Sequence, residues 1–212
     1  MTERKSYTYE ELTRGDFLST RGFDVFERFE EYQARLAQRL RRATAALEKA
    51  GVPHAVAGGN AVAAWVSSVD AGAVRTTQDV DILLRREDLP AAIEALEPAG
   101  FIYKHVASLD FFIDGPQGTA REGLHIIFAG EKVRPQYTTP APDVTEVHRS
   151  NKGFYVTSLE AIVRMKLTSY RRKDQVHLDD MIDVGLIDKS WTAKFPSDLA
   201  ERLRHLLDNP EE

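Results

Sequence analysis

The chain has 212 residues, 42% apolar and 29% charged, with a formal net charge of −5. That balance fits one globular domain with a proper core and excludes both a disordered chain and a general nucleic-acid coat. Cysteine is absent, which removes disulfides, thiolate zinc sites and cysteine nucleophiles together and fits a cytoplasmic location.

In chain order, "MTERKSYTYEELTRGD" is polar and lacks the apolar region of a secretory signal. No apolar run approaches the ~20 residues that span a bilayer, so no membrane contact is expected. Residues 1–23 read as an arm or a short helix. From Asp24 to about Ala50, Val25, Phe26, Phe29, Tyr32, Leu36, Leu40, Ala43 and Leu47 recur mostly at steps of three and four. That is an amphipathic helix, which Gly51 and Pro53 end. Its apolar stripe packs on the rest of the chain or serves a partner protein or a homodimer.

"HAVAGG" at 54–59 reads as a buried strand entering a glycine turn, and "NAVAAWV" as a helix capped by Asn60. "DVDILL" at 79–84 is the next strand. "EDLPAAIEALEPAG" at 87–100 is a helix with acids in its first turn. "FIYKHV" and "LDFFID" form a hairpin with a tight link near Ala107, and "GLHIIFA" at 123–129 is another strand. Residues 130–156 are expected to be irregular, with Pro135, Pro140 and Pro142 blocking regular structure.

"TSLE" at 157–160 fits a capping box from Thr157 to Glu160, opening a helix to about Tyr170. Helices at 174–184 and 197–208 follow, the last capped by Ser197. The order predicts an α+β fold, a mixed sheet flanked by helices. The expected division is an arm and long helix at 1–50, the main domain at 51–190 and a C-terminal helix at 191–212.

Asp79 and Asp81 alternate with Val80 along a strand, so they share one face, their α-carbons roughly 6.5–7 Å apart. Carboxylates this close repel unless a cation lies between them or one takes up a proton. Mg²⁺ prefers such oxygen ligands and takes the rest of its shell from waters and substrate phosphates. Gly58 and Gly59, between a strand and a helix, let backbone approach a ligand where free N–H groups favour an anion. A phosphate-binding turn and a metal-binding pair in adjacent strands make a candidate nucleotide site.

These residues resemble the nucleotidyltransferase superfamily of the DNA polymerase β type, in which a Gly-Gly or Gly-Ser pair opens a helix and Asp-x-Asp follows in the next strand. Gly59 and Asp79 stand 20 positions apart (79 − 59), and "RTTQDVDILL" carries Arg75 and Thr77 just upstream. "SLEAIVRMKLTSYRRKDQVHLDDM" at 158–181 resembles the C-terminal signature of the minimal bacterial AbiEii-like branch, with Lys166, Arg171 and Asp174 on its positions. A more distant likeness, to lincosamide and aminoglycoside nucleotidyltransferases, includes Trp65.

The resemblance implies an enzyme that moves a nucleoside monophosphate from an NTP to an acceptor (RNA, protein or small molecule), using Mg²⁺ or Mn²⁺. It implies Asp79 and Asp81 as metal ligands. Gly58, Gly59, Asn60, Arg75, Thr77, Lys166 and Arg171 would contact nucleotide, and Asp174 would hold the basic group or the geometry of the site. Where the superfamily supplies a third acid, this chain has His125. It is open to three readings: a base, a ligand suited to Mn²⁺, or the mark of a catalytically impaired module that binds nucleotide or protein. Asp110 and Asp114 are candidate substitute acids, and His177 stands where a second Asp is usual.

Overall fold

The computed structural model describes residues 22–209, with side chains from residue 27. The arm at 1–23 lies almost wholly outside them, as do the side chains of Val25 and Phe26. The chain divides into two compact units, Met1–Gln38 and Arg39–Glu212. In the first, Leu36 is buried whereas Phe29 is 50% exposed, so the apolar stripe is not covered along its whole length.

Six α-helices are described: α1 Gly22–Lys49, α2 Gly58–Ser67, α3 Leu89–Leu96, α4 Leu159–Ser169, α5 Arg172–Asp183 and α6 Ser197–Asp208. The strands are β1 His54–Ala57, β2 Val80–Leu84, β3 Phe101–Val106, β4 Leu109–Asp114, β5 Leu124–Phe128, β6 Val147–Arg149 and β7 Tyr155–Thr157. They form one mixed sheet in the order β3-β4-β5-β2-β1-β7-β6. The central strand β2 runs antiparallel to β1 and parallel to β5. This is the α+β architecture expected from the element order.

The run "VDILL" is apolar because β2 is covered on both faces. Val80, Ile82 and Leu84 are fully buried on one side. On the other, Leu83 joins Ala55, Ala57, Ala141 and Val144 in a small cluster. Burying each large aliphatic side chain stabilises the fold by about 1.5–3 kcal/mol, so the strand carrying the two acids is firmly anchored.

The hairpin between β3 and β4 turns on Ala107 and Ser108, both with positive φ, as a two-residue link of this hand demands. Gly51 closes α1 at φ +68°, where a side chain would be strained.

Four local expectations need correction. Residues 147–149 and 155–157 are strands, and β7 pairs in parallel with β1 through Val56 and Val156. Three residues each are too few to show an alternating pattern. Ser158, not Thr157, caps α4, accepting from the Ala161 N–H at 3.2 Å, while Thr157 ends β7. Ser197 is the first residue of α6, and Pro196 precedes it as the cap. Asn60 does not cap α2, which opens at Gly58, and its amide is used elsewhere.

Candidate active site

The sheet register brings the acids together. Asp81 lies opposite Ala57 on β1 and opposite His125 on β5, so Asp81 and His125 stand side by side on one face. Asp79 is on the same face, two residues earlier. Each of Asp79, Asp81 and His125 offers one ligand atom, and these atoms lie within 4.8 Å of one another. They form the only such group of three among the described residues.

The glycine turn is part of the same construction. Gly58 has φ +61°, and a β-carbon there would sit 1.8 Å from Asp81 Oδ2. Only glycine lets the carboxylate lie against the backbone that opens α2. A β-carbon on Gly59 would lie 3.1 Å from Thr77 Cβ and 3.5 Å from His177 Cε1. The Gly-Gly pair and the Asp-x-Asp pair therefore lie against one another.

Neighbouring side chains fix the acids in place. Asn60 Nδ2 donates to the Asp79 carbonyl at 2.7 Å, tying α2 to the entry of β2. Thr77 Oγ1 donates to Asp79 Oδ1 at 3.0 Å. His125 Nε2 bonds to the Ala120 carbonyl at 2.6 Å. A carbonyl only accepts, so Nε2 carries a proton, and the tautomer with its lone pair on Nδ1 is the one this bond selects. That arrangement is usual for a metal-ligating histidine. Burial pushes the Asp81 carboxyl above its ordinary range, and repulsion from Asp79 adds to the shift. Two carboxylates and an oriented imidazole, one acid disfavoured as an anion, make a donor set that fits a divalent cation.

Asp110 and Asp114 do not substitute for the third acid. Phe111 pairs with His125, so their own side chains leave β4 on the opposite face. Asp110 accepts from Tyr103 and contacts His105 Nδ1 at 2.8 Å, and Asp114 binds Arg39 and Arg42.

The second motif forms a buried knot beside the cleft. Lys166 Nζ donates to Asp174 Oδ1 at 3.0 Å, and Lys166 is only 5% exposed. Arg171 Nε at 2.7 Å and Ser169 Oγ at 2.8 Å donate to Asp174 Oδ2. Burial alone would raise the Asp174 carboxyl, but the bonds from Arg171 and Ser169 and the charge of Lys166 bring it down to about 2. Burial lowers the Lys166 ammonium against the pull of Asp174 and Asp81. Arg75 Nε pairs with Asp180 Oδ1 at 2.7 Å, clamping the loop before β2 to α5. Sequence reasoning left two residues without a role, His177 and Lys173, and both lie near this cleft. Their signal was their place on α5, at and beside the Asp174 motif.

A family described as "Uncharacterised nucleotidyltransferase" matches residues 25–180, and the chain belongs to it. An antigenic nucleotidyltransferase-like protein from Paracoccidioides brasiliensis has the same fold at 19% identity and TM-score 0.50, covering 81% of this chain and 88% of that one. The antibiotic-resistance factor ANT(2'')-Ia, solved in complex with adenylyl-2''-tobramycin, is similar at 14% identity and TM-score 0.48, covering 84% of this chain and 99% of that one. No curated protein sequence matches. Among the described residues, no helix is long and apolar enough to cross a membrane.

Proposed function

We propose that the chain is a divalent-metal-dependent nucleotidyltransferase. It moves a nucleoside monophosphate from an NTP to an acceptor hydroxyl or phosphate on RNA, protein or a small molecule. The observation that carries this reading is the convergence of Asp79, Asp81 and His125 against a glycine that has no room for a side chain.

Asp79, Asp81 and His125 are the residues that would hold the cation. When bound, such an ion offsets the charge of the phosphate chain and activates an attacking oxygen. The chain's own groups do the rest by positioning. Gly58 and Gly59 admit the phosphates to the free N–H groups at the start of α2, whose dipole favours an anion. Thr77 holds the Asp79 carboxylate and Asn60 holds the Asp79 backbone carbonyl. Lys166 adds positive charge from below the cleft, and Asp174 and Arg171 keep its ammonium in one place. Arg75 steadies the loop that delivers the acids. The acceptor oxygen bonds to the α-phosphorus while the bond from that phosphorus to the β-phosphate oxygen breaks, pyrophosphate leaves, and the proton of a hydroxyl acceptor passes to solvent. The Lys166–Arg171–Asp174 knot also supports kinship with the AbiEii-like branch. The catalytic domain in this reading spans residues 51–190.

The test uses each NTP labelled at the α-phosphate, with Mg²⁺ or Mn²⁺ and a cell lysate as the acceptor source. Label should move into an acceptor with the wild type and not with Asp81→Asn. Nucleotide binding without transfer under either metal would favour a binding module instead. Absence of metal-dependent nucleotide binding would sink both.

A further inference from the structure

We propose that His177 is a nucleotide-binding residue that takes up a proton when the phosphate chain enters the cleft. The inference rests on the nucleotidyltransferase reading above and adds a residue and a pH dependence to the same site.

His177 projects from α5 toward the glycine turn, its Cε1 3.5 Å from where a Gly59 β-carbon would stand. Its Nδ1 is shielded and has no hydrogen-bond partner. A shielded ring nitrogen without a partner is costly, and a ligand can supply what the fold does not. Lys173 lies one turn earlier on the same helix, so the two side chains share a face. Lys166 is buried in its pair with Asp174, whereas Lys173 is exposed and can move toward a ligand.

The charges around the ring explain its state. Arg75 faces it from the loop before β2, Lys166 from α4, and Lys173 and Asp174 from α5 itself. The one carboxylate is shared among Lys166 and Arg171. Burial, then repulsion by Lys166, hold the imidazole neutral, down to about 4. A polyphosphate at the Gly58–Gly59 turn reverses the sign of that field. The protonated ring is then favoured and gains an N–H to donate, the proton coming from solvent. A group whose pKa rises on binding makes the complex the more protonated state. Affinity therefore rises as pH falls, until the free protein is itself protonated near pH 4.

The experiment titrates the full chain with a non-hydrolysable ATP analogue and Mg²⁺ by calorimetry. It uses two buffers of unequal ionisation enthalpy, at about pH 6 and about pH 8. The wild type should take up a fraction of a proton that His177→Gln does not, and lose about tenfold in affinity between the two pH values beyond any loss in the variant. An NMR titration of the wild-type ring needs no variant and should show the His177 pKa move up when the analogue is added. Lys173→Ala, at an exposed position, should raise the ring's pKa in the free protein. Equal proton uptake by wild type and His177→Gln, or a ring titration unmoved by the analogue, overturns the inference and leaves the nucleotidyltransferase reading intact. Failure of the wild type to bind the analogue with Mg²⁺ or Mn²⁺ overturns that reading, and this inference with it.

Discussion

Gly58→Ala is the sharpest perturbation of the site. The new β-carbon would stand 1.8 Å from Asp81 Oδ2 and 2.8 Å from its Cγ. Ordinary contacts begin at about 3.5 Å, so the carboxylate must retreat by about 1.7 Å or the start of α2 must move. A shift of that size disperses the Asp79–Asp81–His125 cluster, and misplacement of about 1 Å can cost about 10²-fold in rate. The φ of +61° adds about 1–2 kcal/mol of backbone strain. Gly51→Ala is the matched control, with φ +68° and nothing within 4 Å of the added carbon. Urea denaturation should show both variants destabilised by about 1–2 kcal/mol from the backbone alone. Electron paramagnetic resonance of free Mn²⁺, with a non-hydrolysable NTP present, should show metal affinity lost only in Gly58→Ala. Equal Mn²⁺ affinity in the two variants would refute the claim that Gly58 exists to seat Asp81.

Lys166→Met should destabilise the fold by about 2–4 kcal/mol, because Asp174 is left buried with fewer partners; chemical denaturation reads this. Asp174 titrates in the fold near 2, below its ordinary 3.8. Its contribution of about 2 kcal/mol is complete above the unfolded pKa and lost as pH falls through the folded one, which acid denaturation of Asp174→Asn against wild type should show. Asp81 is shifted the other way, so a proton competes with the cation. Mn²⁺ affinity should climb with pH through that raised pKa, and in Asp79→Asn, with the repulsion gone, the climb should begin at lower pH. Asp110→Asn and Asp114→Asn should leave Mn²⁺ affinity unchanged, since both side chains lie on the other face of the sheet. Trp65→Phe deletes the 3.0 Å bond from Nε1 to the Thr157 carbonyl that ties α2 to β7, and should cost about 1–2 kcal/mol in a denaturation curve.

The parts of this molecule that were legible in its sequence are those set by local chemistry. Alternation put Asp79 and Asp81 on one face, and glycine beside a strand marked the turn. Pairing was not legible. Nothing in "GLHIIFA" says that His125 lies opposite Asp81 rather than one residue off, a slip that would put it on the far face. The same gap left Asp110 and Asp114 standing as candidate acids, and the register of Phe111 on His125 removes them. β6 and β7 were missed because three-residue strands draw their identity from the sheet they join, not from their own pattern. Asn60 has a cap's chemistry, but its amide reaches the Asp79 carbonyl because α2 begins two residues earlier, at Gly58. The link between Lys166 and Asp174 was implied by the family resemblance, not by the spacing of the two residues. The depth of its burial, which directs attention to Lys173 and His177, required the packed helices.

The central claim is that Asp79, Asp81 and His125 hold one cation together with a nucleoside triphosphate. Pulsed electron paramagnetic resonance of Mn²⁺ bound to the full chain with a non-hydrolysable NTP tests it most directly. The account predicts a nitrogen coupling from a directly bound imidazole, a phosphorus coupling from the nucleotide, loss of the nitrogen signal in His125→Ala and loss of bound Mn²⁺ in Asp81→Asn. A bound Mn²⁺ whose couplings survive both substitutions would place the metal elsewhere and contradict it.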